Sequence, residues 1–72
     1  MRPIKPRKLI AQLKKLGFEV VRISGSHYIL ENPSTGKICV VPVHGNQDIP
    51  GPVVLSILKQ AGISPEEFSR DI

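Results

Sequence analysis

The chain has 72 residues, which limits it to one domain over residues 1–72, with a thin core and no room for a deep substrate cavity. Its only cysteine, Cys39, excludes a disulfide framework and a cysteine-based zinc site within one chain. The net charge is +4, and six of the ten basic residues fall in the first fifteen positions. That clustering is typical of a chain that binds a polyanion such as nucleic acid, although a run of charges taken alone is more often a solvated helix face.

The start of the chain has no signal-like apolar segment after Met1, and no apolar run approaches the roughly 20 residues needed to span a bilayer. We therefore expect a cytoplasmic protein that does not associate with a membrane.

The first predicted element is a helix over residues 6–16. Pro6 suits its first turn, because the missing N–H would be unpaired there, and Gly17 suits its end. Its apolar residues recur at helical spacing: Leu9, Ile10, Leu13 and Leu16.

Three short strands follow, over residues 18–23, 27–31 and 37–43, separated by segments rich in turn-forming residues. In the second strand, alternation puts Tyr28 and Leu30 on one face. The third strand is apolar on both faces, which predicts a buried or central position, and Pro42 marks its end or an unpaired edge.

A second helix is predicted to begin near Pro50 or Pro52 and to be capped by Gly62. Its predicted buried face is Val53, Val54, Ile57, Leu58 and Ala61. The segment Ser64-Pro65-Glu66-Glu67 is a capping-box pattern that starts a last short helix, which Phe68 pins to the core.

The order of these elements, α-β-β-β-α, predicts a two-layer α+β sandwich. Both main helices would cover one face of a three-stranded antiparallel sheet. This architecture resembles the double-stranded-RNA-binding fold, but a fold by itself does not decide a function.

Two histidines stand out as candidate site residues. His27 directly follows the turn Ser24-Gly25-Ser26, and a hairpin turn centred between residues 34 and 35 would pair it with Pro42. His44 would then be a diagonal neighbour on the same face, about 7–8 Å away between α-carbons. A loop of odd length would put the two histidines on opposite faces, and each is also readable as an ordinary surface histidine.

The chemistry open to such a site is limited. The sequence contains no cluster with metal-ligand spacing, no carboxylate obviously placed to complete a triad with Ser24 or Ser26, and no phosphate-binding glycine fingerprint. RNA carries its own nucleophile, the 2′-hydroxyl. A small basic domain with an exposed histidine could therefore cleave RNA without a metal or a cofactor.

The chain carries a family pattern in four segments, which follow one another in order and extend over nearly its whole length. The segments are Leu9-Ile10 with Leu13-Lys14-Lys15-Leu16-Gly17-Phe18, Gly25-Ser26-His27-Tyr28-Ile29, Val41-Pro42-Val43-His44-Gly45, and Ile57-Leu58-Lys59-Gln60-Ala61-Gly62. They resemble the HicA toxin family (YcfA-like mRNA interferases). The resemblance implies the same α-β-β-β-α fold, RNA cleavage without metal, and neutralisation by a HicB antitoxin.

The resemblance also implies roles for residues of this chain. His27 would be the catalytic general acid or base, Gly25 and Ser26 would keep the backbone close to the phosphate, and His44 would assist or shape its loop. The expected RNA-binding residues are chiefly Lys8 and Lys15, together with Arg7, Lys14 and Arg22.

The chain departs from the family pattern at two places. Glu31-Asn32 stands where members often have a basic residue or a histidine, and Pro50-Gly51-Pro52 replaces the more usual Gly-Thr opening of the last main helix. The first departure puts one possible phosphate contact of the family in question, and we interpret the second as a difference in helix capping.

The sequence with this resemblance predicts a toxin endoribonuclease of a type II toxin–antitoxin system, with mRNA as substrate, a HicB-like antitoxin as partner, and no cofactor or metal. Two alternatives remain open. One is a non-catalytic RNA-binding module of the same fold, and the other is an interaction protein whose basic face docks on an acidic partner.

Overall fold

A computed structural model describes residues 1–70 of the chain. The elements in order are α1 (Pro6–Lys15), β1 (Glu19–Ser24), β2 (His27–Glu31), β3 (Ile38–Pro42), α2 (Gly51–Ala61) and α3 (Pro65–Arg70). The strands form one open antiparallel sheet in the order β1-β2-β3. The predicted α+β class with a three-stranded antiparallel sheet is confirmed. The likeness to the double-stranded-RNA-binding fold stays a prediction.

Helix α1 begins at Pro6, as predicted, and ends at Lys15, one residue earlier than predicted. Gly17 follows with φ +100°, a conformation that side chains rarely adopt, so the chain turns sharply into β1 there. Leu9 and Leu13 are fully buried, whereas Ile10 and Leu16 are partly buried against the core. The predicted apolar stripe is therefore the face that packs on the sheet.

The pairing of β2 with β3 follows the predicted register, with His27 opposite Pro42. The core face of these strands carries Leu30, Cys39 and Val41, each with no exposed surface. Because side chains alternate along a strand, the neighbouring residues point to the opposite face of the sheet. That opposite face, which we call the open face, carries no helix within residues 1–70.

The predicted central or buried position of β3 is wrong. The middle strand is β2, and β3 lies at an edge of the sheet with Ile38 52% and Val40 36% exposed. An apolar run on both faces indicated burial on both faces, but the helices cover only one. The edge itself is partly blocked, because the Val40 N–H donates a 3.2 Å hydrogen bond to Oε1 of Gln60 on α2 and Pro42 has no N–H to offer. The prediction that Pro42 marks the end of the strand or an unpaired edge is confirmed, since β3 ends at Pro42 and lies at the edge of the sheet.

The buried face of α2 is close to the predicted one, since Val54, Ile57, Leu58 and Ala61 are all buried. Val53, which was predicted to be buried with them, is 38% exposed. It lies to one side of the stripe that positions 54, 57, 58 and 61 form. The end of the helix is capped by Gly62, which has φ +73° as predicted.

The last helix has the predicted cap and anchor. The Glu67 N–H donates a 3.1 Å hydrogen bond to Oγ of Ser64, which satisfies one of the free N–H groups at the start of α3. The Phe68 side chain is 1% exposed and belongs to the core.

The segment before α1 has a role that the sequence did not reveal. The backbones of Ile4 and Ile49 exchange two hydrogen bonds of 3.1 and 2.8 Å, and both side chains are buried. The Lys5 ammonium lies 2.9 Å from a carboxylate oxygen of Asp48 and donates to the Asn46 carbonyl oxygen at 2.9 Å. The N-terminal segment therefore holds the loop between β3 and α2, here called the 43–50 loop, against the domain.

The longest helices of this fold are short. None within residues 1–70 has both the length and the apolar character required to cross a lipid bilayer.

Candidate functional site

His27 is the first residue of β2 and follows the turn at residues 24–26 directly. Its side chain is exposed, and it belongs to a strand that is hydrogen-bonded on both sides. Gly25 at the centre of the turn has φ +59°, and apart from its two chain neighbours no residue has an atom within 4 Å of the position where a side chain would begin. The turn therefore leaves open space beside the His27 imidazole, which β2 holds in position.

Arg22 shares the open face of the sheet with His27. The pairing of β1 with β2 puts Arg22 opposite Ile29 and Ser24 opposite His27. Directly paired residues point to the same side of a sheet, so Arg22 and His27 are diagonal neighbours, about 7–8 Å apart between α-carbons. A guanidinium and an imidazole thus face the same solvent-exposed surface, which is an arrangement suited to a phosphodiester.

A hydrogen bond joins the His27 turn to the end of β3. The Val43 N–H donates to the Ser26 carbonyl oxygen at 2.7 Å, just beyond the His27–Pro42 pair. The half-buried Ser26 contributes its backbone to this bond.

His44 does not continue the strand. The predicted diagonal relation to His27 assumed that β3 runs past Pro42, but the strand ends there and His44 is exposed in the 43–50 loop. It lines a shallow groove with Asp48, Pro50 and Val53. The strand pairing therefore makes Arg22 a neighbour of His27. Because His44 is not part of a strand, the pairing does not make the two histidines neighbours.

The basic residues of α1 point in different directions. Arg7 lines a groove with Tyr28, Val43, Gly45 and Asn46, close to the His27 end of the sheet. Lys8 lines a separate groove with the N-terminal segment and Phe68. Lys14 and Lys15 are exposed in the last turn of the helix.

The structure thus brings Arg7 and Arg22 to the His27 end of the domain, whereas Lys8, expected to be a chief RNA contact, lies in a different groove. Tyr28 is a groove residue that the sequence did not single out. The only available signal was the alternation that puts it on the helix side of β2.

Asn32, at one of the departures from the family pattern, has a local structural role. Its side-chain Oδ1 accepts a 2.9 Å hydrogen bond from the Ser34 N–H, and its Nδ2 donates to the Leu16 carbonyl oxygen at 3.5 Å. The side chain also contacts the position where Gly17 would carry a Cβ atom. Asn32 therefore links the end of α1 to the hairpin turn.

Other kinds of chemistry find little support in the described part of the chain. Within residues 1–70, no group of three or more His, Cys, Asp or Glu side chains is arranged to hold a metal ion. Burial raises the pKa of the Cys39 thiol to about 11, so the thiolate needed for a nucleophile is scarce at neutral pH.

Comparison with known proteins agrees with the family pattern. No curated protein sequence matches the chain at a significant level. A family model described as the HicA toxin of bacterial toxin–antitoxin systems matches residues 6–63 of the 72. This match spans α1 through the end of α2, and includes the His27 turn, the whole sheet and the 43–50 loop. The chain belongs to the HicA toxin family of bacterial toxin–antitoxin systems.

Proposed function

We propose that this toxin is a metal-independent endoribonuclease that cleaves mRNA, with His27 as its general acid. The observation that carries the proposal is the diagonal placement of Arg22 and His27 on the open face of the sheet. Both side chains are exposed, so a single-stranded RNA can reach them without a cavity.

The reaction uses the nucleophile that RNA supplies. The 2′-oxygen forms a bond to the adjacent phosphorus, the bond from phosphorus to the 5′-oxygen breaks, and a 2′,3′-cyclic phosphate results. The proton of the 2′-hydroxyl passes to water, and the His27 imidazolium gives its proton to the departing 5′-oxygen. A positioned acid of this kind typically contributes a factor of about 10²–10⁴ to the rate.

Arg22 supplies the positive charge that this reaction needs. Negative charge accumulates on the phosphoryl oxygens in the transition state, and a guanidinium binds two such oxygens at once. The Gly25 turn beside His27 gives the phosphate room to approach the backbone. His44 is auxiliary in this mechanism, because it lies in a loop outside the strand pairing.

The antitoxin partner of this toxin is, in this proposal, a HicB-like protein acting in the cytoplasm. Its role would be to cover the basic residues of α1 and the His27 turn together, since those basic side chains and His27 are all exposed. The match to the HicA toxin family supports control by a separate antitoxin protein.

The decisive experiment is incubation of the pure protein with end-labelled single-stranded RNA in the presence of EDTA. We expect cleavage by the wild type, loss of cleavage by His27→Ala, and wild-type cleavage by Lys59→Ala, whose exposed side chain lies in the last turn of α2. An RNA with 2′-deoxyribose at the cleaved position should resist all three proteins.

Cleavage of the deoxy substrate would show that water is the nucleophile and would overturn the mechanism. Tight binding of RNA by the wild type without cleavage would show instead an RNA-binding module. Unchanged circular dichroism and melting of His27→Ala are required for the loss of activity to count as chemical.

A further inference from the structure

Next to the His27 turn lies a groove on the other face of the sheet that the proposed mechanism does not use. Its lining consists of Arg7, Tyr28, Val43, Gly45 and Asn46, and its volume is about 590 Å³. This volume falls within the range of about 300–1,000 Å³ that is usual for small-molecule sites. We propose that this groove binds the unpaired nucleobase next to the scissile phosphate, with Tyr28 and Arg7 as its stacking partners. The inference rests on the proposed RNA cleavage.

Tyr28 provides a fixed aromatic surface in the groove. It is the strand neighbour of His27 and pairs with the buried Val41, so it lies on the helix side of the sheet. The ring is half-buried and packs against the core, which leaves part of it to line the groove. An aromatic ring held in this way loses little conformational freedom on binding, and stacking accepts any base.

Arg7 stands across this groove from the sheet, in the first turn of α1. Its side chain is exposed, whereas Lys5, two residues earlier, is engaged with Asp48 and Asn46. A guanidinium plane can stack on a base and can also bind a phosphate, so it suits a nucleotide better than an isolated ammonium would.

The 43–50 loop completes the groove and is held in place from two sides. The Val43 N–H is hydrogen-bonded to the Ser26 carbonyl oxygen, and the backbone carbonyl oxygen of Asn46 accepts a hydrogen bond from the Lys5 ammonium. Gly45 has φ +58°, and apart from its two chain neighbours no residue has an atom within 4 Å of the position where its side chain would begin. A ligand can therefore approach the backbone closely at this point of the loop.

The path between the groove and His27 is short. The pairs His27–Pro42 and Tyr28–Val41 are consecutive rungs of the same ladder, with their side chains on opposite faces. An RNA strand that bends over this end of the sheet, past the small Gly25 turn, can place its phosphate at His27 and the adjoining base against Tyr28. Only an unpaired base can enter, so the groove selects single-stranded RNA.

The test uses the His27→Ala protein, so that binding is measured without cleavage. The probe is a short single-stranded RNA carrying one 2-aminopurine, whose fluorescence is quenched by stacking. We expect quenching on binding. Tyr28→Leu should weaken binding about 5- to 100-fold, as expected for the loss of one stacked base. Arg7→Gln should weaken it as well, Tyr28→Phe should retain it, and the matched control Lys59→Gln, which loses the same charge, should be close to the parent.

Because Tyr28 is half-buried, Tyr28→Leu could lose binding through a folding defect, so a second measurement uses thermal melting of the Arg7 variant. Arg7 is exposed, so Arg7→Gln should melt like the parent and still lose quenching. A fully paired RNA duplex of the same sequence should show no quenching and no sensitivity to Tyr28→Leu.

The outcomes separate this inference from the proposed function. If the wild type cleaves RNA but the Tyr28 and Arg7 variants bind and quench like Lys59→Gln, the base site is wrong and the ribonuclease stands. If quenching depends on both residues while the wild type does not cleave, the groove is a nucleobase site and the ribonuclease proposal fails. If the two variants lose affinity for the antitoxin and keep full affinity for RNA, the groove is a protein-binding site and the inference is overturned.

Discussion

Arg22 and His27 occupy adjacent strands, diagonally opposite each other on the open face of the sheet. The arrangement depends on the regular pairing of Arg22 with Ile29 and of Ser24 with His27, beyond the bulge in β1. A slip of one residue in β1 would turn Arg22 to the helix side. The pairing of these two strands therefore decides whether the imidazole has a cation beside it.

The first prediction concerns that cation. Arg22→Gln should lower the rate of RNA cleavage by about 10²–10³-fold, as found when one donor to a developing oxyanion is removed. Arg22→Lys should restore part of the rate, because the lysine ammonium supplies the positive charge but not the planar guanidinium that binds two oxygens at once. Single-turnover cleavage rates test this. Equal rates for Arg22→Gln and for Lys59→Gln, a control with the same loss of charge, would contradict it.

The second prediction concerns the pH dependence and His44. If His27 acts alone as the general acid, cleavage needs the protonated imidazole, so the rate should fall in a single step as the pH rises. We therefore expect a single descending limb, with His44→Ala retaining substantial activity and the same profile. A bell-shaped profile in the wild type that loses its acid limb in His44→Ala would make His44 the general base.

The third prediction concerns the antitoxin. Lys8, Lys14 and Lys15 are exposed on α1, and an antitoxin that presents carboxylates to this helix would bind in a salt-dependent way. The double substitution Lys8→Glu with Lys15→Glu should weaken the complex at least about tenfold at low salt, with a smaller effect at high salt. Isothermal titration at two salt concentrations is the measurement. An unchanged affinity would mean that the antitoxin binds elsewhere.

The fourth prediction concerns the edge of the sheet. Gln60→Ala removes the acceptor of the Val40 N–H, so it should lower the free energy of unfolding by about 1 kcal/mol and promote association through the β3 edge. Gln60→Glu keeps an oxygen in place and should be milder. Urea unfolding and sedimentation velocity measure the two effects. A variant that is monomeric and as stable as the wild type would show that Gln60 does not protect this edge.

The fifth prediction concerns the buried thiol. Burial raises the pKa of Cys39 to about 11, above that of the exposed thiol in the unfolded chain, so the folded state retains the proton longer. The contribution of this thiol to the free energy of unfolding is complete below about pH 9 and is lost as the pH rises towards 11. By pH 11 the loss should be about 2 kcal/mol in wild type, relative to the pH dependence of Cys39→Ala. The same dependence of the free energy of unfolding on pH in wild type and Cys39→Ala would contradict this prediction.

Much of the fold was predictable from local patterns. Helical spacing around Leu9 and Leu13 indicated α1, the strand pattern indicated three strands, and Ser64 with Glu67 marked the cap of α3. The hairpin register of His27 with Pro42 followed from the position of the turn. These features depend on residues close together in the chain, so a short window of sequence contains their cause.

The features that the sequence left open or predicted wrongly depend on distant parts of the chain. Val40 appeared buried from its apolar neighbours, but its environment depends on which face the helices cover and on Gln60, twenty residues further along. The contacts of Lys5 with Asp48 and Asn46 span more than forty residues.

The sequence by itself determined the family, the elements and the turn that carries His27. The tertiary structure alone decided that Arg22 shares a face with His27, that Arg7 and Tyr28 line one groove, and that His44 lies outside the strands. The physical reason is that side-chain alternation and helical period act within one element. Pairing between strands and the packing of helices on one face instead result from the burial of the whole core, which no single segment determines.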